Sequence, residues 1–277
     1  MHLSPPPRCD YLLFTSVSAE SRALREVAAE MGLSCRRGKS NLGDFIDLGT
    51  VGTSRALAIR TQMGPFSSAG SAAKALQWVG ATRAKAIIGC GMGFGALPGR
   101  QKHGDVLVAT ALFPYDYRIV KRGPADVPVA DYSEVPTHPA CPALLSLFDR
   151  AARTPRWLGR VHLGPFLSGA ARIRCSAYRD ELLGAFRDRG LVVGGDMEGI
   201  GLLAASDDTG PRWAIVKGIS DFADEARDDV IERTRSGACY NAILFVLTAL
   251  KDEEALRPGR PFGLFHERGS RAACGGQ

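Results

Sequence analysis

The chain has 277 residues, 45% hydrophobic and 23% charged, with a formal charge of +6. That length and apolar content suffice for a full hydrophobic core, and no apolar run approaches the roughly 20 residues of a membrane span. Seven cysteines with no C-x-x-C pair fit neither a disulfide framework nor a zinc site, so reduced thiols and no metal or other cofactor are expected. The start of the chain lacks the apolar run of a secretory signal, which makes a cytoplasmic location the expectation.

In chain order, the apolar run at 11–15 is followed by Ala23, Leu24, Val27, Ala28 and Met31 at helical spacing, which predicts a strand leading into a helix. Residues 45–48 and 56–59 read as strands around a turn at Gly49 and Gly52. Residues 67–79 read as a helix with Ala72, Ala75, Leu76 and Val79 inward, and 86–88 and 106–109 as buried strands. The stretch 124–142, with five prolines, predicts a surface excursion. Beyond it come a helix at 144–152, strands at 161–163, 191–193 and 213–216, helices at 180–187 and 197–205, and a last buried helix at 237–250. This alternation implies a three-layer α/β/α domain over 11–251 around a mostly parallel, partly barrel-like mixed sheet. Residues 1–10 are expected to be flexible, and the basic Gly/Arg/Pro-rich tail at 252–277 to be disordered.

Four segments carry groups suited to chemistry. The run from Gly89 to Gly95 follows a predicted strand, and its glycines let a ligand approach the backbone. Gly91, Gly93 and Ala96 fit G-x-G-x-x-A, but Leu97, Pro98 and Gly99 stand where a dinucleotide-binding motif needs a helix, so that reading is rejected. In Asp196-Met197-Glu198-Gly199 the acids would favour a helix N-terminus. Ser220-Asp221 lies at the carboxyl end of a predicted strand, where parallel sheets collect ligands, and is not a nucleophile elbow because x-Gly does not follow. Ser18-Ala19-Glu20, alone, reads as a helix cap.

Together and in this order, with Gly104-Asp105-Val106, Tyr115-Asp116-Tyr117 and Ser168-Gly169, these segments make the chain resemble the nucleoside phosphorylase and nucleosidase superfamily from about residue 11 to residue 250. It looks most similar to the methylthioadenosine/S-adenosylhomocysteine nucleosidases and to defence-associated nucleosidase domains. The resemblance implies a purine N-glycosidase acting on an adenine-type nucleoside or nucleotide. Asp221 would be the acid that protonates the base, oriented by Ser220, and Glu20 would activate water. Glu198 and Met197 would hold the ribose, with Gly91, Met92, Gly93, Ser168 and Gly169 around the substrate. The nucleosidases place an acidic residue and an aromatic after Ser168-Gly169, whereas this chain has Ala170, Ala171 and Arg172, so Arg172 is a candidate for stacking on the base or binding a phosphate. The resemblance also implies a homodimer or larger homo-oligomer, with Tyr115 and Tyr117 completing a neighbouring subunit's site. A phosphate-dependent phosphorylase is the nearest alternative, although the glycine run offers no arginine or serine as a phosphate ligand. A catalytically silent, nucleotide-sensing module is a third reading, and a nucleic-acid role for the tail carries little weight.

Overall fold

The structure, a computed structural model, describes residues 3–154, 159–206 and 210–252. It begins with β1 (Tyr11–Thr15), α1 (Ser18–Glu30), β2 (Arg36–Ser40), β3 (Gly43–Val51), β4 (Ser54–Arg60) and α2 (Ser71–Thr82). Next come β5 (Ala86–Gly95), β6 (Val106–Pro114), β7 (Ile119–Arg122), β8 (Pro128–Asp131), β9 (His138–Pro139) and α3 (Pro142–Ala152). The last part holds β10 (Val161–Ser168), α4 (Ser176–Ala185), β11 (Gly194–Asp196), α5 (Gly199–Leu202), β12 (Arg212–Asp221) and α6 (Arg227–Lys251). Among the described residues no helix is long and apolar enough to cross a membrane.

Side chains alternate across the strands, and both faces are covered. Tyr11 and Leu13 of β1, with Ala214 and Val216 of β12, point into a core formed with α1, α3 and α6. Leu12 and Phe14, with Trp213 and Ile215, point the other way, against Trp78 of α2 and Leu202 of α5. Near-continuous apolar runs are what burial on two faces requires. The sheet runs β11-β10-β6-β12-β5-β1-β4-β3-β2, and β11 also pairs with β5. That extra pairing, Gly194 to Gly95 and Gly195 to Phe94, closes β5, β12, β6, β10 and β11 into a five-stranded ring. β1 joins β4 and β5 in parallel, and β12 joins β5 in parallel, while β12 meets β6 antiparallel, so the central sheet is mixed.

Several elements differ from expectation. The glycine run is no loop: β5 continues through it to Gly95, since glycines leave the ladder intact while erasing the side-chain pattern by which a strand is recognised. The strand expected at 191–193 forms at β11 instead, and Leu191 is exposed. β2, whose sequence Arg-Arg-Gly-Lys-Ser has no apolar alternation, went unpredicted. α2 starts four residues late and buries Trp78, leaving Leu76 exposed. The proline-rich excursion holds β8, which pairs with β7 outside the main sheet, and β9, which pairs with β6. The expected flexible start is tied down from Ser4, whose carbonyl accepts Asn41 N–H, to the buried Cys9, which donates to Thr82 O. The tail beyond Asp252 lies outside the described residues.

The approach of α6 to β12 places the end of β12. A Cβ on Gly218 would lie 2.0 Å from the backbone oxygen of Ala238, so only glycine lets the helix sit this close. Gly218→Ala is expected to destabilise the protein by about 1–3 kcal/mol, the cost of forcing an extra methyl into a packed interior. Chemical denaturation measures it, and an unchanged midpoint would show that the helix can yield.

Candidate active site

An open cleft of about 530 Å³ gathers residues from segments remote in sequence: Ser16 and Glu20 after β1, Met92 to Phe94 on β5, Met197 and Glu198 after β11, and Ser220 and Asp221 on β12. β1, β5 and β12 run parallel and deliver these groups from their carboxyl ends, the usual ligand position of such sheets. The β12 register slips between Ile219 and Asp221, a bulge that leaves Ser220 without a ladder partner before Asp221 pairs again, with Phe94.

Glu20 stands in the first turn of α1 and is buried. Its Oε2 accepts Ser16 N–H, Val17 N–H and the Ser16 hydroxyl, while Oε1 accepts Met92 N–H at 2.9 Å. The capping expected of this segment therefore comes from Glu20 reaching back, not from Ser18. A carboxylate has about four acceptor directions. Oε1, with one donor, keeps room for a water or ligand hydroxyl. Gly91 lies behind it: at φ +149°, a Cβ there would fall 2.0 Å from Glu20 Oε1.

Beneath the cleft lies Lys217, 2% exposed, with its Nζ 3.1 Å from Glu198 Oε2 and 3.3 Å from Asp196 Oδ2. Burial opposes its charge, but Glu198, Asp196 and Glu20 outweigh it and hold the ammonium above its usual range. For Glu198 burial acts upward, partly opposed by Lys217. The two acids of the 196–199 segment divide their roles. Asp196 accepts Ser168 Oγ–H at 2.8 Å and Gly199 N–H at 3.1 Å, the helix-start duty expected of it. Glu198 accepts Gly64 N–H at 3.2 Å and lines the cleft.

On another part of the wall, burial raises the Asp221 carboxyl above its ordinary value against the hydrogen bonds from Ser220 and Ala223 N–H. Ser220 Oγ is 2.8 Å from Asp221 Oδ2 and 3.1 Å from Gly93 O. Its single proton serves one of these at a time, so ionisation of Asp221 draws it away from Gly93. The nearest cation, Arg227 Nε, is 3.7 Å from Asp221 and also pairs with Asp228.

Of the residues expected at the site, Glu20, Met92, Gly93, Arg172, Met197, Glu198, Ser220 and Asp221 line the cleft. Gly91, Ser168 and Gly169 do not; they support Glu20, Asp196 and the packing of Tyr115 from behind. Tyr115 is buried in its own chain and donates to Ala171 O, propping the Arg172 loop, which leaves the exposed Tyr117 as the member of that pair facing outward. Arg172 extends over Met63, its Nη2 2.8 Å from the thioether sulfur. Sequence reasoning missed Met63, Phe94, Arg227 and Lys217. Phe94 is the one aromatic side chain in the cleft among the described residues. Lys217 had a signal, a lysine closing an apolar strand run, where a buried cation requires partners.

Residues 16–251 match the model of the phosphorylase superfamily. Among solved structures the chain is similar to the Neisseria meningitidis 5'-methylthioadenosine/S-adenosylhomocysteine nucleosidase in complex with methylthio-immucillin-A. The two share 20% identity and a TM-score of 0.72 over 88% of this chain and 99% of that one. Futalosine hydrolase of Helicobacter pylori gives 16% identity and a TM-score of 0.70 over 88% and 97%. S-adenosylhomocysteine nucleosidase of Streptococcus pyogenes gives 19% and 0.70 over the same shares. At these identities the likeness is one of fold. No curated protein matches the chain.

Lys217→Met is expected to cost about 3–5 kcal/mol, because it strands Asp196 and Glu198 as buried charges without their counter-ion. Urea denaturation at neutral pH reads this, and a loss below about 1 kcal/mol would mean that the two carboxylates do not depend on Lys217.

Proposed function

Because the chain belongs to the phosphorylase superfamily, as the match over residues 16–251 shows, we propose that it hydrolyses the N-glycosidic bond of a purine nucleoside or nucleotide of adenine type. The products are free base and ribose or ribose phosphate. One observation carries this reading: a buried carboxyl whose pKa is raised, Asp221, shares one cleft with Glu20, whose Oε1 still has room for a water, and with the lysine-paired Glu198.

Breaking this bond requires the base to leave with its electron pair and the sugar to bear positive charge. Asp221, retaining a proton by burial, donates it to N7 of the base, so the base departs neutral. Glu20, Asp196 and Glu198 outnumber Lys217 around the cleft floor, and this excess of negative charge favours the oxocarbenium character of the sugar. Glu198 accepts ribose hydroxyls, Met197 packs on the ring, and Phe94 offers an aromatic face to the base. Glu20 Oε1 then takes a proton from the attacking water. Phosphorolysis would call for a cation where the nucleophile enters. Of the cations at the cleft, Lys217 is engaged by Glu198 and Asp196 and Arg227 by Asp221 and Asp228, and Arg172 lies over Met63, which supports water. Three carboxylates so arranged also speak against a silent module. In an assembled homo-oligomer, Tyr117 is the side chain available to a neighbour's cleft.

Asp221→Asn is expected to lower kcat about 10²- to 10⁴-fold, the contribution of a positioned general acid, with nucleoside binding little changed. In the parent enzyme, kcat/KM should fall as pH rises through the elevated pKa of Asp221, because the acid must be protonated. Normal turnover by the variant would remove Asp221 from that role. Chromatography of base released from adenosine, methylthioadenosine and purine triphosphates, with and without inorganic phosphate, tests the reaction itself. Release without phosphate, lost in Glu20→Gln, is the expected result; release only with phosphate would make the protein a phosphorylase.

A further inference from the structure

A second concavity, an open groove of about 1,080 Å³, lies between α1 and the strands β2, β3 and β4. Its lining includes four cations, Arg25, Arg37, Lys39 and Arg60, against a single carboxylate, Asp44. The fold brings these charges together from three places. Arg37 and Lys39 are two residues apart on β2, hence on one face; Arg60 ends β4; Arg25 comes from α1. None of the four is in an ion pair among the described residues. Arg55 and Lys85 in the same half of the chain, by contrast, are paired with Asp47 and Asp10. Like charges crowded into a concave space repel one another and focus a positive potential, which an anion would relieve.

The groove abuts the cleft. Its Thr15 and Ser21 are the chain neighbours of Ser16 and Glu20 in the cleft, and their hydroxyls lie 3.0 Å apart. Apolar Ile46 and Ile59 also line the groove; Arg25 is partly buried there, while Arg37, Lys39 and Arg60 are exposed and free to reach an anion through charge-assisted hydrogen bonds.

We propose that this groove binds the phosphate chain of a small phosphorylated anion. Two sources share that chemistry: the 5′ phosphates of a nucleotide held in the cleft, or a free polyphosphate acting as an effector. The first source rests on the hydrolase reading above; binding of the anion itself does not.

Calorimetry with sodium tripolyphosphate at low salt tests the groove directly. The wild type is expected to bind saturably, more weakly as salt is added, and to melt at higher temperature with the ligand. A triple variant, Arg37→Ala with Lys39→Ala and Arg60→Ala, is expected to lose affinity at least about tenfold. A control pair, Arg22→Ala with Arg36→Ala, removes exposed charge outside the groove and should bind as the wild type does. No saturable binding, equal losses in triple variant and control, or tighter binding of a single-stranded oligonucleotide than of tripolyphosphate would each overturn the proposal. Base release then separates the sources. If the groove holds the substrate's own phosphates, the triple variant raises KM for a nucleoside triphosphate alone, and tripolyphosphate competes with it. If it holds an effector, nucleoside and nucleotide turnover shift together and tripolyphosphate does not compete.

Discussion

The ammonium of Lys217 is the interaction on which the floor of the cleft depends. Asp196 and Glu198 come from β11 and the turn after it, Lys217 from β12, and these strands are not hydrogen-bonded to each other; both border β5. The ion pairs tie the two sides of the ring across β5 and allow two carboxylates to stay buried side by side. Such an arrangement is costly unless every partner is in place. It is, because Asp196 is also held by Ser168 and Gly199, and Glu198 by Gly64.

The acids around the cleft differ in environment more than in kind. Asp196 and Glu198 share a buried cation, and Glu20 is wrapped by backbone and hydroxyl donors, so all three suit an acceptor role. Asp221 is buried with Arg227 no nearer than 3.7 Å, and desolvation dominates its proton affinity. One site thereby holds a proton donor and proton acceptors at once, a separation obtained by placing similar carboxyls in unlike surroundings. Phe94 and Met63 add apolar surface, and Arg172 and Arg227 bring positive charge to the lining.

Closure of the ring explains how such distant segments meet. β11 is only three residues long, yet it pairs with β10 on one side and β5 on the other, which brings Met197 and Glu198 to the part of β5 that carries Met92 and Gly93. Without that short strand, the resemblance between the 196–199 segment and a helix cap would be its whole content.

Much of this was legible in the sequence. Apolar runs of buried strands and helical spacing in α1, α3 and α6 gave the layered fold, because burial on both faces leaves a direct imprint on residue type; eight of the residues lining the cleft came from the resemblance of the four ordered segments to a known superfamily. Polar β2 and glycine-rich β11 left no such imprint, since strands specified by their neighbours' backbones need no pattern of their own. Tertiary structure alone decided that Gly91 makes space for Glu20, that Ser168 serves Asp196 rather than the cleft, and that Tyr115 is packed within its own chain. It alone gathered four cations of α1, β2 and β4 around one groove. These are facts of distance between segments far apart in the chain, and one-dimensional spacing carries no information about which of them the closing of the sheet will bring together.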